Sequence, residues 1–309
     1  MLDRKSFVLN EEGLHLLHEN LTTRISNYIN IKKIIIEKDT DIETYELEYL
    51  RRNTNELNSR IIRSEDIQKK NILSLSKYGV DINEQNKTLI SEYLFANLEI
   101  APVKLSLDGY GWKKYNTKEI FITNNILSDT PLEENIIKNS DKLDLAPHGH
   151  IEEWLTMYNE YVLGNKYLEL AVVFGLSAPI INYLSEMYPD LTNILIHISG
   201  DSTAGKSTAS MLAVSTAGNP NQLSDRSLMR KWSGTENSIT ALLENISGIP
   251  IVFDELSSFK GENLTSLAYT LTDGVGKARA KIDGSLNEPK RWNTVILSNG
   301  EASILTKSN

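Results

Sequence analysis

The sequence predicts an α/β protein: a smaller α+β domain, then a three-layer core on a mostly parallel sheet. Three observations carry this. From residue 151 onward, short continuous apolar runs at 194–198, 249–253 and 294–297 alternate with helical segments at 208–217 and 264–271, as parallel strands covered by helices do. The first run opens into a glycine-rich strand-to-helix loop, Gly200-Asp201-Ser202-Thr203-Ala204-Gly205-Lys206-Ser207-Thr208. The first third has a different texture, rich in Asn, Lys, Glu and Ile and carrying hairpin signals.

Taken in order, residues 11–31 read as a helix. Residues 32–37 and 44–50 read as strands around the turn Lys38-Asp39-Thr40-Asp41, with a third strand at 59–67. A short helix at 72–78 stops at Gly79, and a longer one covers 83–98. A second hairpin is expected from 104–114 and 118–123, with Asp108-Gly109 and Tyr110-Gly111 as turn residues. Residues 1–127 thus form the expected accessory domain, 128–150 a charged linker without period, and 151–309 the core. Within the core, 151–163 and 167–185 read as helices. The second is apolar nearly all round and is expected to be buried.

Bulk properties narrow the function. Lys and Arg number 32 against 41 Asp and Glu, a net charge of −9, so the chain is no general nucleic-acid binder and any DNA contact needs a local basic patch. There are no cysteines, which excludes disulfides and thiolate metal sites and fits a reducing cytoplasm. The first residues contain no apolar leader, and the apolar run 170–184 is broken by Ser177, Pro179 and Asn182, so neither a signal peptide nor a membrane span is expected.

The loop 200–208 has the P-loop pattern. Its glycines let the backbone curl so that successive N–H groups point inward, and the helix N-terminus adds its dipole, a cradle for phosphates. Lys206 would reach the β- and γ-phosphates and Ser207 would ligate Mg²⁺, which predicts ATP or a related nucleoside triphosphate as ligand. Ile249-Pro-Ile-Val-Phe253-Asp254-Glu255 is an apolar strand ending in an acidic pair, the Walker B pattern: Asp254 for the metal, Glu255 to polarise the attacking water. Alone, such a strand end reads first as an exposed turn; it gains weight from following the P-loop. Asn299, after the run 294–297, suits orientation of the water and contact with the γ-phosphate, although Asn299-Gly300 is also a strong turn dipeptide. Lys277, Arg279 and Lys281 alternate ahead of Asp283-Gly284, which predicts a basic hairpin with one cationic face. That face suits DNA phosphates or a neighbouring subunit's nucleotide, and equally a solvated edge hairpin. His148 and His150 read as loop residues, and Trp154, Trp232 and Trp292 as packing residues.

These elements, worded as HISGDSTAGKST, WSGTEN, PIVFDE, LTDGVGKARA and LSNGE, resemble the helicase-like AAA+ ATPase domain of phages, plasmids and integrative elements. Within that family they are most similar to the MCM-like replicative helicases of staphylococcal cassette chromosomes. The close likeness runs from His197 to Glu301; the region before it matches only in outline.

The resemblance implies an ATP-dependent DNA helicase or translocase in replication initiation of a mobile element. It implies a hexameric ring on single-stranded or forked DNA, catalysis by Lys206, Asp254, Glu255 and Asn299, and a pore hairpin bearing Lys277, Arg279 and Lys281. It also implies a site completed by the neighbouring subunit, and a primase or polymerase as a further partner. The family's C-terminal lid and arginine finger have no counterpart in the ten residues after Asn299, so weak activity is expected of these 309 residues alone. Two other readings stay open: a nucleotide-dependent assembly module recruiting a primase or polymerase, and a P-loop phosphotransferase.

Overall fold

The protein is described by a computed structural model that covers residues 6–18, 21–133, 135–138, 142–261, 263–277, 279–280, 286–287 and 289–304. The chain divides into two compact units, residues 1–107 with 133–137, and residues 108–132 with 138–309. Residues 108–127, expected in the accessory domain, therefore lie in the second unit.

The first unit opens with three antiparallel strands, β1 (Ser6–Asn10), β2 (Gly13–His18) and β3 (Leu21–Ser26). The helix expected over 11–31 is absent from the described residues. Asn10 is the reason: its side-chain oxygen accepts from the N–H groups of Glu12 and Gly13 at 3.0 and 3.2 Å, closing a turn where a helix would have to run. β-Branched Thr22, Thr23 and Ile25 then favour a strand.

Strands β4 (Ile29–Glu37) and β5 (Glu43–Leu50) form the expected hairpin, flanked by β6 (Leu57–Arg63). On β5, Tyr45, Leu47 and Tyr49 point inward and are buried, while Glu46 and Glu48 pair outward with Lys33 and Lys32 at 2.7 and 2.9 Å. On β4 the alternation slips at a bulge: Ile31 faces Leu47 and Lys33 faces Glu46, which leaves Lys32 as the extra residue. A 3₁₀ helix at Ile72–Tyr78 ends at Gly79, and helix α1 (Lys87–Leu98) follows. Of the hairpin expected from 104–114 and 118–123, residues 111–115 pair antiparallel with 118–122, but strand β7 (Val103–Leu107) takes no part in it. It runs parallel to β4, and Ile136–Lys138, β11 in chain order, extends the same sheet.

The second unit begins with a meander of β8 (Gly111–Tyr115), β9 (Lys118–Ile122) and β10 (Ile126–Ser128). The segment expected as linker is partly core: Leu143 and Leu145 are buried, and Asp144 holds the loop after the fourth helix through Asn219 at 3.0 Å. Residues 134 and 139–141 of it lie outside the described residues. Helix α2 (Ile151–Met157) runs on through a π turn, and α3 (Lys166–Ser185) follows.

The core sheet is β12-β17-β14-β13, all parallel, from β12 (Ile194–Ser199), β13 (Met229–Lys231), β14 (Ile251–Asp254) and β17 (Val295–Gly300). Helix α4 (Lys206–Ser215) packs on β14 and β17, and α6 (Leu264–Asp273) against β12. Between them lie α5 (Glu236–Leu243) and a two-residue ladder of β15 (Arg279–Ala280) and β16 (Leu286–Asn287). Lys142 caps α5 by donating to the carbonyls of Ala241 and Glu244, and burial pushes its ammonium below the usual lysine range. Neither β13 nor α5 is visible as a pattern in the sequence, being three and eight residues long.

Helix α3 departs from expectation. It has the length and composition to cross a membrane, with only a third of its apolar window buried. Its inner face carries Ala171, Gly175, Ala178 and Asn182, and a Cβ on Gly175 would stand 2.0 Å from the Ala213 carbonyl of α4. Its outer face leaves Tyr167, Leu170, Val173, Leu176 and Ile180 exposed. It is packed on one side, not buried all round.

Candidate functional site

Parallel strands end at one edge, and in open α/β sheets that edge takes the ligand. The register sets Ser199 beside Gly300, Ile198 beside Asn299, and Lys231 beside Asp254. The sheet thereby brings the glycine-rich loop, the acidic pair and Asn299 together, although they are far apart in sequence.

The loop turns through Thr203 and Gly205 at φ +64° and +80°, and Gly205 is the N-cap of α4 in the left-handed region where a side chain is strained. Residues 201–205, with Ser207 and Thr208, are exposed. The Lys206 ammonium folds over the loop and donates to the carbonyls of Gly200 and Asp201 at 2.8 and 2.6 Å. The Ser207 hydroxyl donates to Oδ1 of Asp254 at 2.9 Å. Oδ2 of the same carboxylate accepts from Nε2 of Gln222 at 2.7 Å. The metal-ligating pair expected from the sequence is thus one hydrogen bond apart.

Glu255 begins a 3₁₀ turn at φ +62°, an unusual conformation for a residue with a side chain. Its backbone N–H donates to Oδ1 of Asn299 at 3.0 Å, and its carboxylate accepts from the Ser257 hydroxyl. Asn299 is 2% exposed and donates through Nδ2 to the Ser210 hydroxyl of α4 at 3.0 Å. Its carboxamide is committed to these two partners, so Asn299 acts as a strut between α4 and the acidic turn.

Sequence reasoning missed several residues here. Gln222 lies in the aperiodic loop 219–227, where nothing marks it. Trp232, expected to pack, is fully buried against Phe253 and Phe259 and also donates to the Ser298 hydroxyl at 3.0 Å. Ser298 in turn lies 2.9 Å from Nδ1 of His197, whose Nε2 lies 2.9 Å from the Ala302 carbonyl. One proton arrangement satisfies all three contacts: the indole donates to Ser298, Ser298 to Nδ1, and Nε2–H to the carbonyl. This chain ties β12 to β17 just below the loop. Trp292, also buried, donates to the Leu271 carbonyl at 3.0 Å.

At the basic hairpin, Arg279 faces Asn287 across the ladder, and the Lys277 ammonium pairs with Glu236 at 2.9 Å. Lys281 and the Asp283-Gly284 turn lie outside the described residues, as does the side chain of Arg279. His148 bonds Asp144 at 3.1 Å. Among the described residues no group of three His, Cys, Asp or Glu is placed to hold a metal. A magnesium ion shared with phosphates needs only one or two protein oxygens, which Ser207 and Asp254 provide in kind.

Among solved structures, the chain is similar to one described as "SCCmec type IV Cch - active helicase", with 30% sequence identity and a TM-score of 0.81. The match covers 99% of this chain and 56% of that one, so the chain spans little more than half of that protein's length. No match was found among curated proteins. A family model described as a domain of unknown function, DUF927, matches residues 10–291, most of the chain, and the protein belongs to the DUF927 family.

Proposed function

We propose that this chain is the nucleoside-triphosphate-hydrolysing part of a DNA helicase or translocase. The observation that carries the reading is the 2.9 Å contact between Ser207 and Asp254, beside a loop whose lysine folds back onto the Gly200 and Asp201 carbonyls. The resemblance to a helicase over 99% of this chain supports the choice of DNA motor over small-molecule phosphotransferase.

In this reading the loop N–H groups and Lys206 hold the phosphates of ATP, and Ser207 and Asp254 hold Mg²⁺. Bound Mg²⁺ supplies charge neutralisation at the phosphates. Gln222 keeps the Asp254 carboxylate turned toward Ser207. Glu255 accepts the proton of the attacking water once its carboxylate leaves Ser257, and Asn299 fixes the backbone from which Glu255 projects. Lys277 and Arg279 serve the DNA backbone, assembly into a ring completes the site, and a primase or polymerase of the same element is a further partner.

The experiment is DNA-stimulated ATP hydrolysis. Lys206→Ala abolishes nucleotide binding, whereas Lys277→Ala with Arg279→Ala keeps binding and removes the DNA stimulation. Stimulation that survives the double change overturns the hairpin assignment, and binding that survives Lys206→Ala overturns the site. The exposed apolar face of α3 favours a second reading, a nucleotide-dependent assembly module. Under that reading Lys206→Ala changes capture of the partner and leaves DNA binding unaltered.

A further inference from the structure

Several cations of the first unit are neutralised where they stand. Lys32 and Lys33 pair with Glu48 and Glu46, Lys69 with Glu92, and Lys87 with Glu84. One corner of the unit differs. Residues 51–80 hold seven Lys and Arg against three Asp and Glu, a net charge of +4 in a chain whose total is −9.

The fold draws part of this surplus to the end of the 3₁₀ helix, at Tyr78 and Gly79. Arg60, on β6, sets its guanidinium 3.3 Å from the centre of the Tyr78 ring, and the Lys77 ammonium lies 4.8 Å from the same centre. Arg51, just after β5, runs its stem against Gly79, where a Cβ would come within 2.7 Å of it. Gly79 has φ +85°, so glycine permits both the turn and the close approach. The Arg52 N–H donates to the Gly79 carbonyl at 2.8 Å and the Tyr49 hydroxyl to the Tyr78 carbonyl at 3.1 Å, which ties the corner to the sheet. Arg52 has an acid of its own, pairing with Asp81 at 3.1 Å. Arg51, Arg60 and Lys77 are exposed and, among the described residues, have no carboxylate partner.

Like charges gathered without an acid repel one another, and an external anion relieves the repulsion. These three come from three segments of chain on an open surface, which suits a polyanion that presents phosphates in series. A guanidinium resting on a ring keeps its N–H edges free, and those edges meet a phosphate with two bonds. We infer that this corner is a second nucleic-acid surface of the chain, separate from the hairpin of Lys277 and Arg279. It grips the phosphodiester backbone, with Arg60 and Lys77 each neutralising one phosphate, and such contacts carry no sequence information. The choice of nucleic acid as the polyanion rests on the DNA reading proposed above; the charge surplus and the cluster at Tyr78 stand without it.

The test is binding of fluorescein-labelled single-stranded and duplex DNA to the full chain without nucleotide, followed by anisotropy over a series of salt concentrations. Each phosphate contact contributes about 0.7 to the slope of log affinity against log salt for a single strand, and about 0.9 for a duplex. Arg60→Ala with Lys77→Ala is expected to make the slope shallower by about 1.4 or about 1.8, according to the form bound, and to weaken binding about ten-fold at low salt. Arg60→Lys with Lys77→Arg keeps both charges and is expected to keep the slope, which separates lost charge from lost packing. Lys32→Ala, at a lysine already paired with Glu48, leaves the slope as it was. An unchanged slope in the double alanine variant overturns the inference, as does an equal loss in the charge-keeping variant. If neither DNA binds, the inference is overturned and an acidic protein surface becomes the partner to seek. A slope that responds to Arg60 and Lys77 in a protein without DNA-stimulated hydrolysis keeps the inference and removes the proposed function.

Discussion

Asn299→Ala tests how the acidic turn is held. The substitution removes the acceptor for the Glu255 N–H and the donor to Ser210, each contact 3.0 Å long, at a residue 2% exposed. Two lost hydrogen bonds cost about 0.5–1.5 kcal/mol each, and the vacated volume inside the sheet edge brings the sum to about 2–3 kcal/mol. Urea denaturation followed by tryptophan fluorescence reads it cleanly, because Trp112, Trp154, Trp232 and Trp292 are the four tryptophans of the chain and all lie in the second unit. Asn299→Ser is the control. Its hydroxyl can keep one of the two polar contacts without burying a charge, so its loss is the smaller of the two. Glu255, at φ +62°, no longer has its backbone pinned in the alanine variant; under the proposed function, kcat for ATP then falls about a hundred-fold while nucleotide affinity stays within about three-fold. A stability loss below about 0.5 kcal/mol, or equal losses for the two variants, refutes the strut.

Three further outcomes follow from the geometry. Gln222→Ala removes one of the two donors that orient Asp254; under the proposed function it raises the Mg²⁺ concentration for half-maximal nucleotide binding by about five-fold, read by titration with a fluorescent nucleotide. Gly175→Ala places a Cβ 2.0 Å from the Ala213 carbonyl and 2.6 Å from the Thr216 hydroxyl, so α3 must move off α4; calorimetry is expected to show a loss of about 1–3 kcal/mol. The amide of Asn219, with His148 and a backbone N–H, holds the Asp144 carboxyl below its ordinary value of 3.8. A depressed carboxyl stabilises the fold fully above its unfolded pKa and loses that contribution as pH falls through the folded one, so acid unfolding begins below about pH 4, and Asp144→Asn blunts the acid dependence.

Residues whose chemistry depends on local order were legible in the sequence. The loop from Gly200 to Thr208 needs its glycines and lysine at fixed places, and the apolar runs before it, before Asp254 and before Asn299 are long enough to be strands in any context. The structure adds their adjacency: β17 lies between β12 and β14, which joins the Asn299 side chain to Glu255 and α4. The N-terminal misreading has a local cause. Leu14, Leu16 and Leu17 suit either period, and Asn10 settles the matter by closing a turn through side-chain bonds that hydropathy does not see. The segment 104–114 splits: residues 111–115 form the expected hairpin with 118–122, whereas β7 finds its partner in β4, long past in the chain, which local pattern does not show.

The amino-acid sequence by itself determined the α/β class and three of the four strands of the core sheet, and it marked Lys206, Ser207, Asp254 and Glu255 as candidates, because each follows from residues within a few positions of one another. Only the tertiary structure decided that α3 leaves an apolar face exposed, that Gln222 holds Asp254, that Asn299 braces Glu255 and that a cavity opens beside the loop. These depend on contacts between segments tens of residues apart, set by how closely Gly175 lets one helix approach the next and by the order in which the strands assemble.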